Sequence, residues 1–319
     1  VDSWIDIEGG IGNLFAYASL RKQFPDLPYA FEGDPVPLSK GGSFIGHHIL
    51  VSKRGVAVHI NAFNFPIWGM LEKIAVNLLA GVPAVVKPSE ATSYLTELMV
   101  KEIIASNILP EGSLQLVSGF GRGIIDHVTN QDVVTFTGSA STGMKLKAMP
   151  NITQNSVPFN LEADSLNATM LGEDAAPGTP EFDLFIKATR AEITVKAGQK
   201  CTAIRRILVP EKYIDAVQTE LSKQLAKTTI GDPSAEGVRM GSLASQLQVD
   251  RVRQNVELLM KEQRIVYGDM DNFEVVGADK NKGAFFSPIL FRNDEPFTKT
   301  AVHDIEAFDL IYFDAFAPT

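Results

Sequence analysis

A single cysteine, Cys201, stands in the stretch AGQKCTAIRR (197–206) of this 319-residue chain. As a thiolate, a cysteine is a strong nucleophile, provided that its surroundings are electropositive or preorganised. Cysteine is also one of the residue types most often buried as a small hydrophobe. The residue by itself therefore leaves two interpretations open, a reactive nucleophile and an ordinary core side chain.

Other stretches carry groups that a cysteine nucleophile would need. Glu162, in FNLEAD (159–164), follows a strand-like apolar run, where partial burial would raise the pKa of its carboxyl and suit it to general-base catalysis. HINAFNFPIWG (59–69) contains Asn61 and Asn64 beside aromatic residues. A carboxamide there can donate to a developing oxyanion, an interaction worth about 3 kcal/mol. The alternative is an asparagine that satisfies its own turn.

Two further stretches suit a nucleotide. FTGSASTG (136–143) combines a strand end, small residues and a helix start, so backbone N–H groups and the Ser139 hydroxyl can meet a phosphate there. VVKPSE (85–90) ends a strand with Lys87 and Glu90, whose side chains can bind ribose hydroxyls. The alternatives are a plain capped turn and a solvated surface loop. The first stretch is not the G-x-G-x-x-G fingerprint, so a standard Rossmann dehydrogenase is not indicated.

The elements that must position these groups alternate along the first half of the chain. Short apolar runs predict strands at 56–60, 84–87, 114–119 and 133–136, with helices between them at 70–80, 93–107 and 123–128. This order indicates right-handed βαβ units and a doubly wound parallel sheet, an α/β fold. Ligands of such sheets bind at the carboxyl ends of the strands, which is where the polar stretches lie.

A second block begins near Pro158. Its pattern predicts a short pair of strands at 157–163 and 167–171, a long helix at 182–200 and a strand at 205–210. A helix at 213–228, a loop at 231–245 and a last helix at 249–263 follow. The pattern therefore predicts two α/β blocks that meet near residue 160.

Composition limits the classes of function. The formal net charge is −9, which argues against a nucleic-acid or membrane-surface partner. One cysteine cannot form an intrachain disulfide, so the chain suits a reducing cytoplasm. No stretch approaches the roughly 18 apolar residues of a membrane span, and the acidic start is not a signal peptide. No metal site is predicted.

Five motifs occur in one order: Asn-Phe-Pro, Lys-Pro-Ser-Glu, Phe-Thr-Gly-Ser, Leu-Glu and Gly-Gln-x-Cys. Together they resemble the aldehyde dehydrogenase superfamily, and the likeness runs from about Ser43 to Phe308. Where common members read Glu-Leu-Gly-Gly, this chain reads EADS (162–165). That segment, with GVAVHINAFNFP (55–66), resembles the semialdehyde dehydrogenases of aerobic phenylacetate degradation; a benzoate-pathway branch acting on a dehydroadipyl-CoA semialdehyde is the alternative.

The resemblance implies an aldehyde dehydrogenase-like α/β fold, with a cofactor-binding domain over 1–160, a catalytic domain over 161–308 and an unmatched tail over 309–319. It also implies oxidation of a CoA-linked semialdehyde to the acid. Cys201 would attack the aldehyde carbon, the Asn64 side chain and the Cys201 N–H would hold the oxyanion, and Glu162 would activate the water that hydrolyses the thioester. A CoA-acylating relative is a poorer match because it lacks the base. The resemblance also implies a homo-oligomeric parent.

The same resemblance assigns residues to the cofactor. They are Lys87, Ser89, Glu90, Gly138, Ser139 and Glu306. The branch implies NADP. A carboxylate at Glu90 favours the free 2′-hydroxyl of NAD, so NAD is the alternative.

The family pattern stops after Phe308. DLIYFDAFAPT (309–319) is instead similar to a strand segment of a tRNA-modifying methyltransferase. We expect the chain to lack an N-terminal portion and a C-terminal portion of the family's length. An inactive nucleotide-binding fragment is therefore the alternative to an active enzyme.

Overall fold

The computed structural model describes residues 2–121, 123–299, 301–305 and 310–316. The chain divides into two compact units, Val1–Ala163 and Asp164–Thr319. Within the described ranges each unit carries one five-stranded sheet. The predicted division of roles between a cofactor-binding and a catalytic domain stays a prediction.

The first unit begins with a helix and a hairpin. Helix α1 spans Asp2–Leu20, and a 3-10 turn follows at Arg21–Gln23. Strands β1 (Tyr29–Pro37) and β2 (Ile45–Val51) pair antiparallel as a two-stranded sheet.

The central sheet of this unit is parallel throughout, in the order β5-β4-β3-β6-β7. Because the order runs outward in both directions from β3, the sheet is doubly wound, as the sequence predicts. Its elements in chain order are β3 (Ala57–Ile60), α2 (Trp68–Leu79), β4 (Ala84–Lys87), α3 (Ser93–Ala105), β5 (Leu114–Leu116), β6 (Val133–Thr137), α4 (Ala140–Lys147), α5 (Pro150–Gln154) and β7 (Phe159–Glu162).

Apolar side chains cover both faces of this sheet. Met70 and Val100, from α2 and α3, pack with Val86 in one core cluster. Val58 and Val134 belong to a second cluster. Burial on both sides explains why the strands read as continuous apolar runs. The polar side chains are thereby left to the strand ends.

The second unit holds a mixed sheet in the order β10-β11-β12-β9-β8, in which only β10 and β11 pair antiparallel within the described ranges. Its elements in chain order are β8 (Ala168–Met170), α6 (Pro180–Thr194), a 3-10 turn (Val195–Gly198), β9 (Arg206–Pro210), a 3-10 turn (Glu211–Tyr213), α7 (Ile214–Leu225), α8 (Gln246–Leu259), β10 (Arg264–Tyr267), β11 (Ile289–Asn293), α9 (Ala301–Asp304) and β12 (Leu310–Phe316).

Three local predictions are wrong. The strands at 157–163 and 167–171 do not pair, because β7 extends the first sheet beside β6 and β8 joins the second sheet beside β9. The helix predicted over 123–128 is a 3-10 turn, since Gly123 enters it with φ of +82° and Val128 leaves it extended. The helix predicted over 182–200 ends at Thr194, before a left-handed turn.

The tail contributes a strand that the family motifs do not predict. Leu310–Phe316 forms β12, which pairs parallel with β11 on one side and β9 on the other. Of the helices in the described ranges, none combines the length and the apolar character that a membrane span requires.

Candidate functional site

Cys201 lies in the second unit, on the loop that leads from α6 to β9, and it is exposed. Lys196 and Ala197, just before it, take left-handed φ values of 54° and 50°. Such values cost non-glycine residues about 1–3 kcal/mol each, and they persist only where neighbouring groups hold them. The one cysteine of the chain is therefore not a core side chain. It is carried by a strained turn.

Two buried side chains hold this loop. The Arg205 guanidinium, 1% exposed, donates to the carbonyl oxygens of Gly198 and Lys200 at 2.7 and 3.1 Å. Gln199 donates to the Lys196 carbonyl at 3.0 Å and accepts from the Ala244 N–H at 2.9 Å. These bonds satisfy carbonyls that a tight turn leaves without helical partners. We name residues 196–205 the Cys201 loop.

The charge beside Cys201 is balanced. Lys200 Nζ lies 2.8 Å from Glu192 Oε2, and both side chains are largely buried. The ammonium group therefore already has a counterion. The bonds of Arg205 and Gln199 give the thiol a preorganised backbone.

Asn64 and Glu162 belong to the first unit. Asn64 is half-buried on the loop between β3 and α2. The Asp6 carboxylate of α1 accepts from the N–H groups of Ile67 and Trp68, at 3.2 and 2.8 Å. Asp6 thus acts as a long-range N-cap of α2. It fixes the point at which the Asn64 loop becomes a helix.

Two threonines hold the other side of the Asn64 loop. Thr92 donates to the Phe63 carbonyl at 3.1 Å, and the fully buried Thr96 donates to the Pro66 carbonyl at 3.0 Å. The backbone on each side of Asn64 is therefore anchored to neighbouring elements. Neither threonine carries a sequence signal for this role.

Glu162 is the last residue of β7 and ends a chain of hydrogen bonds. Thr137 Oγ1, at the end of β6, donates to Glu162 Oε2 at 3.2 Å. Lys73 Nζ of α2 donates to Thr137 Oγ1 at 2.6 Å and to Asn61 Oδ1 at 2.8 Å. Asn61 is buried within this network. Both asparagines lie between β3 and α2, and it is Asn61, through its bond with Lys73, that belongs to this network.

The expected partial burial of Glu162 is not found. The residue is exposed because it stands where β7, the edge strand of the sheet, ends. Its hydrogen bond with Thr137 gives it a fixed partner instead. An apolar run before a residue predicts a strand, but it does not predict how far the sheet continues beyond that residue.

Lys73 is the group that sequence reasoning missed. It lies among the buried positions of α2, and burial lowers the pKa of its ammonium, although the charges of Glu72 and Glu162 oppose that effect. Burial also raises the pKa of the Glu72 carboxyl, more than the charge of Lys73 lowers it. The sequence did contain a signal for this buried lysine, because Lys73 lies between Leu71 and Ile74, two residues of the apolar face of α2.

Lys87 and Glu90 are brought together at the end of β4. Lys87 Nζ lies 2.5 Å from Glu90 Oε1, with the lysine buried and the glutamate exposed. Desolvation raises the pKa of Glu90, but the hydrogen bond from Lys87, a backbone N–H and the lysine charge together lower it below its ordinary value. Ser89, between them, is half-buried. The carboxylate and the ammonium together can hold a ribose diol.

Gly138 and Ser139 connect β6 to α4. A Cβ at Gly138 would lie 2.8 Å from the Phe136 ring, so only glycine fits this turn. Ser139 occupies the N-cap position of α4, and its hydroxyl donates to Thr142 Oγ1 at 3.0 Å. At Gly121, with φ of +57°, a Cβ would lie 2.9 Å from Lys87. Glycines thus leave room at both sites, which fits a dinucleotide phosphate and ribose. Glu306 lies outside the described residues.

Comparisons with known proteins identify the family and the fold. The model of the aldehyde dehydrogenase family matches residues 33–307. A 3,4-dehydroadipyl-CoA semialdehyde dehydrogenase of Aromatoleum evansii is 44% identical over 96% of this chain and 60% of its own length. Betaine aldehyde dehydrogenase of Staphylococcus aureus, solved in complex with NAD+, superimposes with a TM-score of 0.79 at 24% identity, over 96% of this chain and 58% of that one. The chain thus spans about three fifths of each relative.

Proposed function

The chain belongs to the aldehyde dehydrogenase family, and on that premise we propose that it oxidises a CoA-linked semialdehyde to the carboxylic acid with NAD(P)+. The observation that carries the proposal is the exposure of Cys201 on a loop held by buried side chains. A cysteine kept for packing would be buried. A nucleophile has to be accessible and preorganised.

Cys201 is proposed as the nucleophile. Its thiolate forms a C–S bond to the aldehyde carbon, and the carbonyl electron pair moves onto oxygen. The Asn64 carboxamide and the Cys201 N–H donate to that oxyanion, which is the role the family resemblance assigns to them. NAD(P)+, when bound, accepts the hydride that leaves the same carbon. Cys201 is then acylated as a thioester.

Glu162 is proposed as the base that regenerates the enzyme. Its carboxylate takes a proton from water, the water oxygen attacks the thioester carbon, and the C–S bond breaks to release the acid and the thiolate. The Thr137 hydroxyl holds the carboxylate at 3.2 Å, and Lys73 holds that hydroxyl in turn. The proposal thus gives Lys73 and Thr137 the role of positioning Glu162.

The cofactor is proposed to bind at the carboxyl ends of β4 and β6. Lys87 and Glu90 would hold the adenosine ribose, with Ser89 beside them, and Gly138 and Ser139 would lie at the pyrophosphate. Glu306 is proposed for the nicotinamide ribose on the family resemblance alone. NADP follows the resemblance to the phenylacetate branch. The ionised Glu90 carboxylate favours the 2′-hydroxyl of NAD.

The substrate is proposed from two similarities. The motifs resemble the phenylacetate-pathway semialdehyde dehydrogenases. The Aromatoleum relative is described as acting on 3,4-dehydroadipyl-CoA semialdehyde, a substrate of the alternative, benzoate-type branch. Both substrates are CoA-linked semialdehydes of aromatic degradation. Steady-state rates with the two thioesters decide between them, since we expect kcat/KM to differ by about ten-fold or more.

The test of the activity uses the purified 319-residue chain with each semialdehyde. We expect NAD(P)H to appear at 340 nm together with one equivalent of free acid. Cys201→Ser should lose this activity by about 10⁴-fold or more. A CoA ester as product would instead indicate acyl transfer to CoA. No reduction of either nucleotide with either substrate would contradict the proposal.

A non-catalytic nucleotide-binding chain is the second candidate, because the residues proposed for the adenosine ribose and the pyrophosphate all lie in the first unit, at the ends of β4 and β6. If the chain only binds nucleotide, fluorescence titration should detect binding of NADPH or NADH. The bound nucleotide should then leave unchanged the rate at which iodoacetamide alkylates Cys201. The enzyme predicts that bound nucleotide changes that rate. Assembly as a homo-oligomer and location in the cytoplasm are proposed with the activity and await sedimentation and fractionation.

A further inference from the structure

The segment that replaces the family's Gly-Gly contacts the Cys201 loop. Asp164 and Ser165 stand where common members have Gly-Gly, and Leu166 and Asn167 come next. Ser165 Oγ lies 2.5 Å from the Cys201 carbonyl oxygen, and Asn167 Nδ2 lies 2.6 Å from the same oxygen. Both groups are donors, so the carbonyl accepts two hydrogen bonds, which is its full capacity.

Asn167 is itself held firmly. Its backbone carbonyl accepts from the N–H groups of Arg205 and Arg206, at 2.8 and 3.1 Å, where β8 and β9 begin to pair. Its side chain also donates to the Ala203 carbonyl at 3.1 Å. Ser165 Oγ lies 3.3 Å from Asn167 Nδ2. The two donors therefore form one cluster on the short segment that leads into β8.

This cluster restrains the nucleophile through its backbone. A carbonyl bonded by two donors cannot rotate without losing both bonds, so the peptide plane between Cys201 and Thr202 is fixed. That plane fixes the ψ angle of Cys201, from which its side chain projects. The Cys201 N–H lies in the preceding peptide plane, whose Lys200 carbonyl accepts from Arg205 at 3.1 Å. The Arg205 and Gln199 side chains restrain the backbone before the cysteine, whereas Ser165 and Asn167 bond the cysteine itself.

We propose that Ser165 and Asn167 are positioning residues for Cys201. The proposal rests on the proposed function, since it takes Cys201 to be the nucleophile. A glycine at position 165 has no side chain to donate, so Ser165 supplies a bond that the common Glu-Leu-Gly-Gly members cannot make in this way. Asn167 supplies the second bond and ties the cysteine to β9.

The test compares the full chain with Ser165→Gly, Ser165→Ala and Asn167→Asp, which each remove one donor, and with Ser165→Thr, which keeps the hydroxyl. We expect kcat to fall about ten- to a hundred-fold in the first three, because small misplacements of a reacting group have effects of that size. KM for the aldehyde should stay within about two-fold, and Ser165→Thr should recover most of kcat.

A second readout does not depend on activity. Hydrogen exchange of the peptide that spans 198–206 should accelerate about five-fold or more in Ser165→Ala and Asn167→Asp, while peptides of the first sheet keep their rates. Ser106→Ala is the matched control. It deletes a serine hydroxyl bond to a backbone carbonyl, Ile103, at the end of α3, and it should leave the 198–206 peptide unchanged.

The outcomes separate the two proposals. Unchanged exchange at 198–206 in both donor deletions, or an equal rise in every peptide, would overturn the positioning role. An unchanged kcat in Ser165→Gly would also overturn it. If the unsubstituted chain reduces no nucleotide, the proposed function fails. The exchange data still decide whether Ser165 and Asn167 hold the cysteine.

Discussion

Lys87 Nζ lies 2.5 Å from Glu90 Oε1, so a buried ammonium and an exposed carboxylate form one ion pair three residues apart. The lysine ends β4, and the glutamate follows the proline turn. The pair keeps Glu90 ionised at neutral pH, because its pKa lies below the ordinary value. In the cofactor site that we propose, this negative charge would discriminate between a hydroxyl and a phosphate on the ribose.

Glu90→Gln should shift nucleotide preference toward NADP. The amide no longer repels a 2′-phosphate, so we expect the ratio of NADPH to NADH affinity to rise about ten-fold, which is about 1.4 kcal/mol. Fluorescence titration with both reduced nucleotides measures it. Glu97→Gln, which breaks the largely exposed Glu97–Lys101 pair on α3, is the control and should leave the ratio unchanged. An unchanged ratio in Glu90→Gln would place the ribose elsewhere.

Thr137→Val should destabilise the first unit. The substitution keeps the shape but removes the hydroxyl that accepts from Lys73 and donates to Glu162. A largely buried ammonium then loses an acceptor, at a cost of about 1–3 kcal/mol. Urea unfolding measures the loss, and Thr137→Ser should restore most of it. Thr219→Val, which deletes an exposed hydroxyl bond on α7, should change stability by only about 0.5 kcal/mol.

His59 should make stability depend on pH in the acid range. Its ring is buried, with Nε2 2.7 Å from Asn77 Oδ1 and Nδ1 2.7 Å from Thr135 Oγ1. Since the Asn77 amide nitrogen donates to the Val82 carbonyl, the Asn77 oxygen accepts, and the proton sits on Nε2. Burial lowers the pKa of His59 from 6.5 to about 4, although the bond to Asn77 opposes the shift.

The sign of that dependence follows from linkage. Between pH 6.5 and about pH 4 the unfolded chain binds a proton that the folded chain does not, so stability falls as the pH falls. From about pH 7 to about pH 5 the loss is roughly 2 kcal/mol. Urea titrations at several pH values measure the free energy of unfolding. That free energy should lose this pH dependence in His59→Gln and keep it in His127→Gln, where the replaced histidine is exposed. Equal slopes in all three proteins would contradict the assignment.

Gly143→Ala should destabilise the contact of α4 with its sheet. A Cβ there would lie 2.2 Å from Leu161 Cδ1 and 3.1 Å from the Phe136 ring, and overpacking of this kind costs about 1–3 kcal/mol. Gly12→Ala is the matched helical control. Its Cβ meets nothing within 4 Å, so we expect a gain of roughly 0.5–1 kcal/mol from helix propensity. Thermal unfolding of both variants measures the contrast.

The strand ends were predictable from the sequence because they depend on local pattern. Four-residue apolar runs fix where β3 and β4 lie to within a residue, and Lys87 and Glu162 are the last residues of their strands. The order of helices and strands also predicts a doubly wound sheet, since right-handed crossovers leave few other topologies. The motif order alone therefore indicates the family and its candidate nucleophile, Cys201.

The tertiary structure decided which groups meet. Lys73 reaches Thr137 across 64 residues, and Ser165 reaches Cys201 across 36. Such contacts depend on strand order and register, which no local window contains. The same holds for β7 and β8, which join different sheets although they follow one another. The left-handed turn at Lys196 and Ala197 is likewise stabilised by distant partners, so local propensity predicts a longer helix. Sequence thus determined the chemistry available, and long-range packing determined how each group is held.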